Sequence, residues 1–193
     1  MAQSTLRLIR ALRDTARRLA TEATANRWSH FGQCNCGQLA QTLTGLPARE
    51  LYSAANEQPG DWAEQALTHA SAAQRATEAV VSAADYGDRP ALDEGAWQPE
   101  DRGACPVAEM PMSAIFATLI NAGLSGDDIA HLERLSDPRI RKQLGTNTID
   151  FPYGDRLNVV RYLDAWADLL QTELEAERLR AALDEPRLYA AAE

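Results

Sequence analysis

The sequence lacks several features that define familiar classes of protein. Its 193 residues include three cysteines. This small, odd number does not make a disulfide framework and favours a reducing, cytoplasmic location. No apolar run approaches the roughly 20 residues that span a bilayer, and the N-terminus lacks the continuous apolar stretch of a signal peptide. We therefore expect no membrane partner.

Motifs for common chemistries are also missing. The chain contains no G-x-x-x-x-G-K-[ST] loop, no G-x-G-x-x-G turn after a strand, no G-x-S-x-G elbow and no H-E-x-x-H. Its formal net charge is −9, whereas binding to nucleic-acid phosphates requires a basic surface. These absences argue against nucleotide, nucleic-acid and serine-nucleophile functions, and leave open whether the protein is an enzyme.

The most abundant residue types favour helices. Ala, Leu, Glu and Arg dominate while β-branched residues are sparse, a composition that favours helix over sheet. Apolar residues recur at helical spacing between Gly, Pro and candidate N-terminal capping residues, which are Asp61, Ser125 with Asp128, Asp137 and Asp155. We predict an all-α single domain over 1–193, a bundle of about seven helices with one long irregular loop. The predicted helices span Thr5 to about Ala23, Gln38–Leu43, Ala48–Asn56, Asp61 towards Ala84, Met112–Ala122, Ser125–Leu135, a helix from Asp137-Pro138, and a long helix from Asp155.

For two of these helices the sequence pattern also predicts which parts are buried. Met112–Ala122 is apolar nearly all round, which predicts a central buried helix. The helix after Asp155 carries an apolar stripe of Leu157, Val160, Leu163, Trp166, Leu170 and Leu174. Leu179 and Leu183 lie on a different face. Residues 175–193 are therefore predicted to extend outside the core and to offer a surface for a homodimer or another protein partner.

An acidic segment interrupts the helical pattern. Residues 85–104 contain six acids, three glycines and two prolines. Uninterrupted loops of this length are uncommon in compact domains and tend to be functional. We predict a surface loop or insertion, which delivers the chain to Cys105.

The strongest candidate for chemistry is a turn-forming segment that precedes the second helix. His30, Cys34 and Cys36 lie within seven residues, and with Cys105 they make up the Cys₃His set of a structural zinc site. An iron–sulfur cluster would fit the same four residues. Four ligands would close the site, whereas three would leave a position for water, with Asp61 or Glu64 as a base.

Two other interpretations of the cysteines stay open. In the first, Cys34 and Cys36 would form a disulfide that closes a small strained ring and is easily reduced, with Cys105 as resolving thiol. The helix N-terminus after Cys36 would lower the pKa of the thiols. Alternatively the thiols are simply buried and His30 is a satisfied core histidine, in a metal-free helical scaffold or protein-interaction module. Outside this segment, His69 is predicted to be partly buried on an apolar face and His131 to lie at the surface.

Overall fold

The computed structural model describes residues 2–21, 23–70, 110–146 and 151–190, with side chains in the last helix described as far as Leu183. These residues form helices and turns and contain no strand, which confirms the predicted all-α fold class. In chain order the helices are α1 (Leu6–Ala20), α2 (Asn35–Thr44), α3 (Ala48–Asn56), α4 (residues 62–70, adjoining the undescribed part), α5 (Met112–Ala122), α6 (Gly126–Arg134), α7 (Pro138–Leu144) and α8 (Arg156–Ala190).

The predicted helix-capping residues are confirmed. Asp61 Oδ1 accepts the N–H of Glu64 at 2.9 Å, and Asp155 Oδ1 accepts the N–H of Leu157 at 2.8 Å. Ser125 and Asp128 form a capping box, and Asp137 caps the helix that starts at Pro138. Such caps satisfy N–H groups that have no partner within the helix, which is why they can be recognised in a sequence.

The bounds of α2 differ from the prediction. It begins at Asn35, three residues before the expected Gln38, and ends at Thr44, with Gly45 as its C-cap at a φ of 76°. Its N-cap is Cys34, whose Sγ accepts the N–H of Gly37 at 3.4 Å. Sequence rules assign N-caps to Ser, Thr, Asp and Asn, so a cysteine cap is missed.

The centre of the core lies between α1 and α8, which pack together more extensively than any other pair among α1–α3 and α5–α8. The apolar face of α1 is buried (Leu8, Ile9, Leu12, Ala16 and Leu19). Against it α8 contributes the buried side chains of Val159, Tyr162, Leu163, Trp166 and Leu170.

The prediction that Met112–Ala122 is the central helix is wrong. In α5 one face is buried (Met112, Ile115, Phe116, Leu119 and Ala122), and this helix packs against α2 and α3. Ser113, Ala117 and Asn121 are exposed and follow one another at four-residue spacing. Of these three residues only Ala117 is apolar, so α5 has a polar, exposed face and is not apolar all round.

The predicted stripe of α8 needs a similar correction. Leu157 is 61% exposed and Val160 is half-buried, because the buried face instead follows Val159 and Tyr162. The hydroxyl of Tyr162 accepts the N–H of Asp137 at 3.0 Å, which ties this face to the start of α7. Beyond the core every side chain from Glu177 to Leu183 is exposed, including Leu179 at 63% and Leu183 at 65%.

Several predictions concern residues that the structure does not describe. The predicted loop over 85–104, Cys105 and the predicted helical stretch from 71 towards Ala84 lie outside the described residues. Within the part that the structure describes, no helix combines the length and the apolar character needed to cross a membrane.

Candidate functional site

The turn-rich segment between α1 and α2 is held by two close backbone approaches. A Cβ on Gly32 would lie 2.0 Å from the carbonyl oxygen of Ala48, and a Cβ on Gly37 would lie 2.0 Å from that of Phe31. Gln41 reinforces this packing, since its Nε2 donates to the Gly32 carbonyl at 2.6 Å. Only glycine permits such contacts, so the segment has a fixed place beside the first turns of α2 and α3.

Both described cysteines are free, buried thiols with hydrogen-bond partners. The Sγ of Cys34 donates to the carbonyl of Phe31 at 3.4 Å while capping α2. The Sγ of Cys36 donates to the carbonyl of Ile129 in α6 at 3.4 Å. The thiols therefore join the turn to α2 and α2 to α6.

The expected lowering of the thiol pKa is not found. Burial raises the pKa of Cys34 to about 12, outweighing the stabilising hydrogen bond from Gly37. The pKa of Cys36 is likewise raised by burial and by the charges near it. The helix N-terminus is present as predicted, but desolvation of the thiolates is the larger effect.

The third described member of the predicted ligand set has other contacts. His30 is half-buried; its Nδ1 accepts the N–H of Gly32 at 3.1 Å, and its ring lies 4.5 Å from that of Tyr52, between centroids. The described residues include no group of three His, Cys, Asp or Glu placed to hold a metal ion. Because Cys105 lies outside them, the zinc or iron–sulfur site stays a prediction.

The other two histidines have structural contacts. His69 is half-buried and stacks on Phe116 with ring centroids 5.5 Å apart, as expected for a histidine on an apolar face. His131 is half-buried rather than exposed at the surface, since its Nδ1 lies 2.8 Å from the hydroxyl of Ser136.

Aromatic side chains converge where the turn meets α4. The indole Nε1 of Trp62 donates to the carbonyl of Phe31 at 3.0 Å, and the centroids of these two rings are 6.2 Å apart. The buried Trp62 ring also packs edge to face with Phe116, with the ring centroids 5.7 Å apart. Trp28 packs against Tyr153 at 4.9 Å and is partly exposed.

Glu133, near the end of α6, is the unusual polar residue of this region. It is 5% exposed, and its Oε2 accepts the N–H of Ala63, in the first turn of α4, at 3.2 Å. Its own carbonyl accepts from Asn35 Nδ2 at 3.0 Å. Burial, followed by the negative charge of Asp61, raises the pKa of this carboxyl to about 7. Near neutral pH it is therefore poised between its two protonation states.

Asp61 places a second carboxylate nearby. It caps α4 in a reciprocal arrangement, because Glu64 Oε2 accepts the N–H of Asp61 at 3.0 Å. Arg134 Nη2 lies 3.9 Å from Asp61 Oδ2, and 41% of the aspartate side chain remains exposed. The N-terminus of α4 stabilises both carboxylates, yet the pKa of Glu133 stays raised. The surroundings of Glu133 thus remain costly for negative charge.

These groups line one cavity, which we call the Trp62 cavity. Its volume is about 120 Å³. Trp28, Ser29 and Asp61 are its more exposed members, and Cys34, Trp62 and Glu133 are buried. The lining consists of Trp28, Ser29, Phe31, Cys34, Asp61, Trp62 and Glu133.

A larger groove lies elsewhere on the molecule and shares no lining residue with the Trp62 cavity. It measures about 570 Å³ and is bounded by residues 2–5 and by Glu173, Glu177 and Arg180 of α8. This groove has neither an aromatic side chain nor a fully buried titratable group. The Trp62 cavity combines both, and pockets that recognise small molecules typically do so. It is the better candidate site.

Two lining residues, Cys34 and Asp61, were candidates from the sequence, but the central group of the cavity was missed. Glu133 was not a candidate. The available signal is its position four residues after Ile129, on the edge of the apolar stripe of α6, where a carboxylate is unusual.

Comparison with known proteins supplies no relative from which a function can be transferred. The chain matches no protein-family model, no curated protein and no solved structure.

Proposed function

We propose that this chain is a ligand-binding protein whose site is the Trp62 cavity. The observation that carries the proposal is the side chain of Glu133, which is 5% exposed and lines a cavity with three aromatic rings. A buried carboxylate costs folding free energy unless its surroundings compensate for the loss of water.

The structural contact of Glu133 does not explain its charge. Its oxygen accepts one N–H, from Ala63, and the amide oxygen of a glutamine would accept the same bond. A neutral side chain would therefore satisfy this contact, and the fold does not require an ionisable group at this position. Strongly perturbed ionisable groups in a cleft are typical of functional sites.

The dimensions suit a small ligand or one end of a larger one. A water molecule occupies about 30 Å³ in the liquid, so 120 Å³ corresponds to about four waters, or to a group of similar size. With so few atoms to contact, we expect dissociation constants in about the millimolar range for isolated fragments.

A fragment titration followed by ¹H–¹⁵N NMR tests the proposal. The indole N–H signals of Trp62 and Trp28 should shift as a binding fragment is added. The shift should level off as the site fills. Trp166, buried beside Tyr162, serves as the internal control and should not shift. Assignment of Trp28 uses Trp28→Leu. If fragments of cationic, neutral and anionic character all leave Trp62 unmoved, the proposal is wrong.

A further inference from the structure

The chemistry of the lining indicates which ligands the Trp62 cavity selects. We infer that it takes a methylated ammonium group, the head of a small organic cation, held between the aromatic rings and the carboxylates of Asp61 and Glu133. This inference rests on the proposed binding function and names the ligand class for the same site.

The aromatic members supply the first argument. Trp28, Phe31 and Trp62 are three of the seven lining residues. The faces of aromatic rings attract cations, Trp most strongly, and pockets of such rings recognise methylated ammonium groups. Each methyl group also gains apolar contact with a ring, which a hydrated inorganic cation does not.

Charge supplies the second argument. The lining includes two carboxyl side chains and no Lys, Arg or His. Arg134 approaches Asp61 from outside the lining, with the charged atoms 3.9 Å apart. An anion would meet carboxylates at both the buried and the exposed end, whereas a cation would relieve the repulsion between them.

The ligand set favours an organic cation over a metal ion. Ca²⁺ and Mg²⁺ take about six or more oxygen ligands at close range. The described part of the chain offers no group of three His, Cys, Asp or Glu suited to a metal ion. A methylated ammonium has no such demand, because its charge is spread over its methyl groups and needs no directed ligand.

The test compares two probes of the same shape. Choline carries a trimethylammonium group, and 3,3-dimethyl-1-butanol is its neutral isostere. Both are titrated into the full chain at pH 8, with the Trp62 and Trp28 indole signals as readout. We expect choline to bind at least about tenfold more tightly. Magnesium chloride and acetate, titrated in parallel, should leave both signals in place.

A variant isolates the contribution of the aromatic ring. Trp28 is partly exposed, so Trp28→Leu should fold. Leucine keeps apolar contact and removes the attraction between ring and cation, which is worth a factor of about two to five at an exposed site. Choline affinity should fall by that factor while the affinity for the neutral isostere stays nearly constant.

The outcomes separate the two proposals. If the neutral isostere binds as tightly as choline, or if magnesium binds more tightly, the ammonium inference is overturned and the binding function stands. The same holds if neither probe binds while another fragment shifts Trp62. If no fragment shifts Trp62, both fall.

Discussion

At the scale of single residues, the ionisation of Glu133 affects the stability of the folded protein. Its pKa is raised from 4.5 to about 7 in the folded protein, so between these values the folded state binds more protons than the unfolded state. Stability is therefore lost as the pH rises from about 4.5 to 7, and the loss stays constant above that range. The carboxylate costs roughly 2 to 3 kcal/mol at pH 8.

Glu133→Gln makes this cost measurable. The glutamine oxygen can accept the N–H of Ala63 and carries no charge, so the variant should be more stable than the natural protein at pH 8 by roughly 2 kcal/mol. At pH 4.5 the two should be nearly equal. Urea denaturation at both pH values checks this, and a variant that is less stable at pH 8 would contradict the account.

The thiols of Cys34 and Cys36 should be unreactive in the folded protein. Both are buried, and the raised pKa of each keeps it protonated at neutral pH, whereas the thiolate is the reactive form. In a Cys105→Ala background, which leaves these two thiols alone, reaction with Ellman's reagent should become fast only after unfolding. Rapid reaction of the folded protein would instead support the redox interpretation.

At the scale of elements, the turn before α2 is set by its glycines. Replacing a helical glycine by alanine normally stabilises a helix by up to about 1 kcal/mol. In Gly37→Ala the new Cβ would lie 2.0 Å from the carbonyl oxygen of Phe31, and neither backbone can yield cheaply. We expect a net loss of at least about 2 kcal/mol.

A matched control exists for this substitution. A Cβ on Gly154 would meet nothing within 4 Å, so Gly154→Ala should change stability by less than about 0.5 kcal/mol. Equal effects of the two substitutions in thermal denaturation would show that the turn does not depend on the close approach.

Element ends could be predicted from the sequence far better than packing could. Caps such as Ser125 with Asp128, and stops such as Gly45, depend on local hydrogen bonds, which leave a local signature. The buried face of α8 depends on its partner α1, and the predicted stripe placed Leu157 on the wrong side. The charge state of Glu133 depends first on its burial and then on Asp61, which belongs to another element, so it cannot be predicted from a local sequence pattern.

At the scale of the whole molecule, α8 divides into a packed part and an exposed part. Leu170 is completely buried, whereas Leu179 is 63% exposed. Leu170→Ala should cost about 2 to 5 kcal/mol. Leu179→Ala should stay within about 0.5 kcal/mol of the natural protein. A large, concentration-dependent loss in Leu179→Ala would instead support the predicted homodimer through this helix.

The predicted metal site also concerns the whole molecule, because it would join Cys105 to residues near the start of α2. A Cys₃His site would place a metal ion in the fold, and Cys36→Ser would then remove it with a large loss of stability. Elemental analysis of the purified full chain, made without added metal or an affinity tag, reports the content directly. About one zinc per chain that disappears in Cys36→Ser would establish the site. An unchanged metal content and stability in the variant would rule out this ligand set.

The affinity for a cationic ligand should follow the ionisation of the Glu133 carboxyl as the pH changes. The charged or ionisable groups around its carboxyl are Asp61, Glu64, Arg134 and the two buried thiols. A cation favours the ionised carboxylate, so choline affinity should be constant above about pH 7 and fall up to tenfold per unit below it. In Glu133→Gln this dependence should vanish.

The most direct test of the binding account is the dissociation constant of choline for the natural protein and for Glu133→Gln at pH 8. At an effective dielectric constant of about 20, two opposite unit charges about 5 Å apart attract by about 3 kcal/mol, so the account predicts affinity at least about tenfold weaker in the variant, which should remain folded. Equal affinity in the two proteins would show that Glu133 does not hold the ligand and would contradict the central claim.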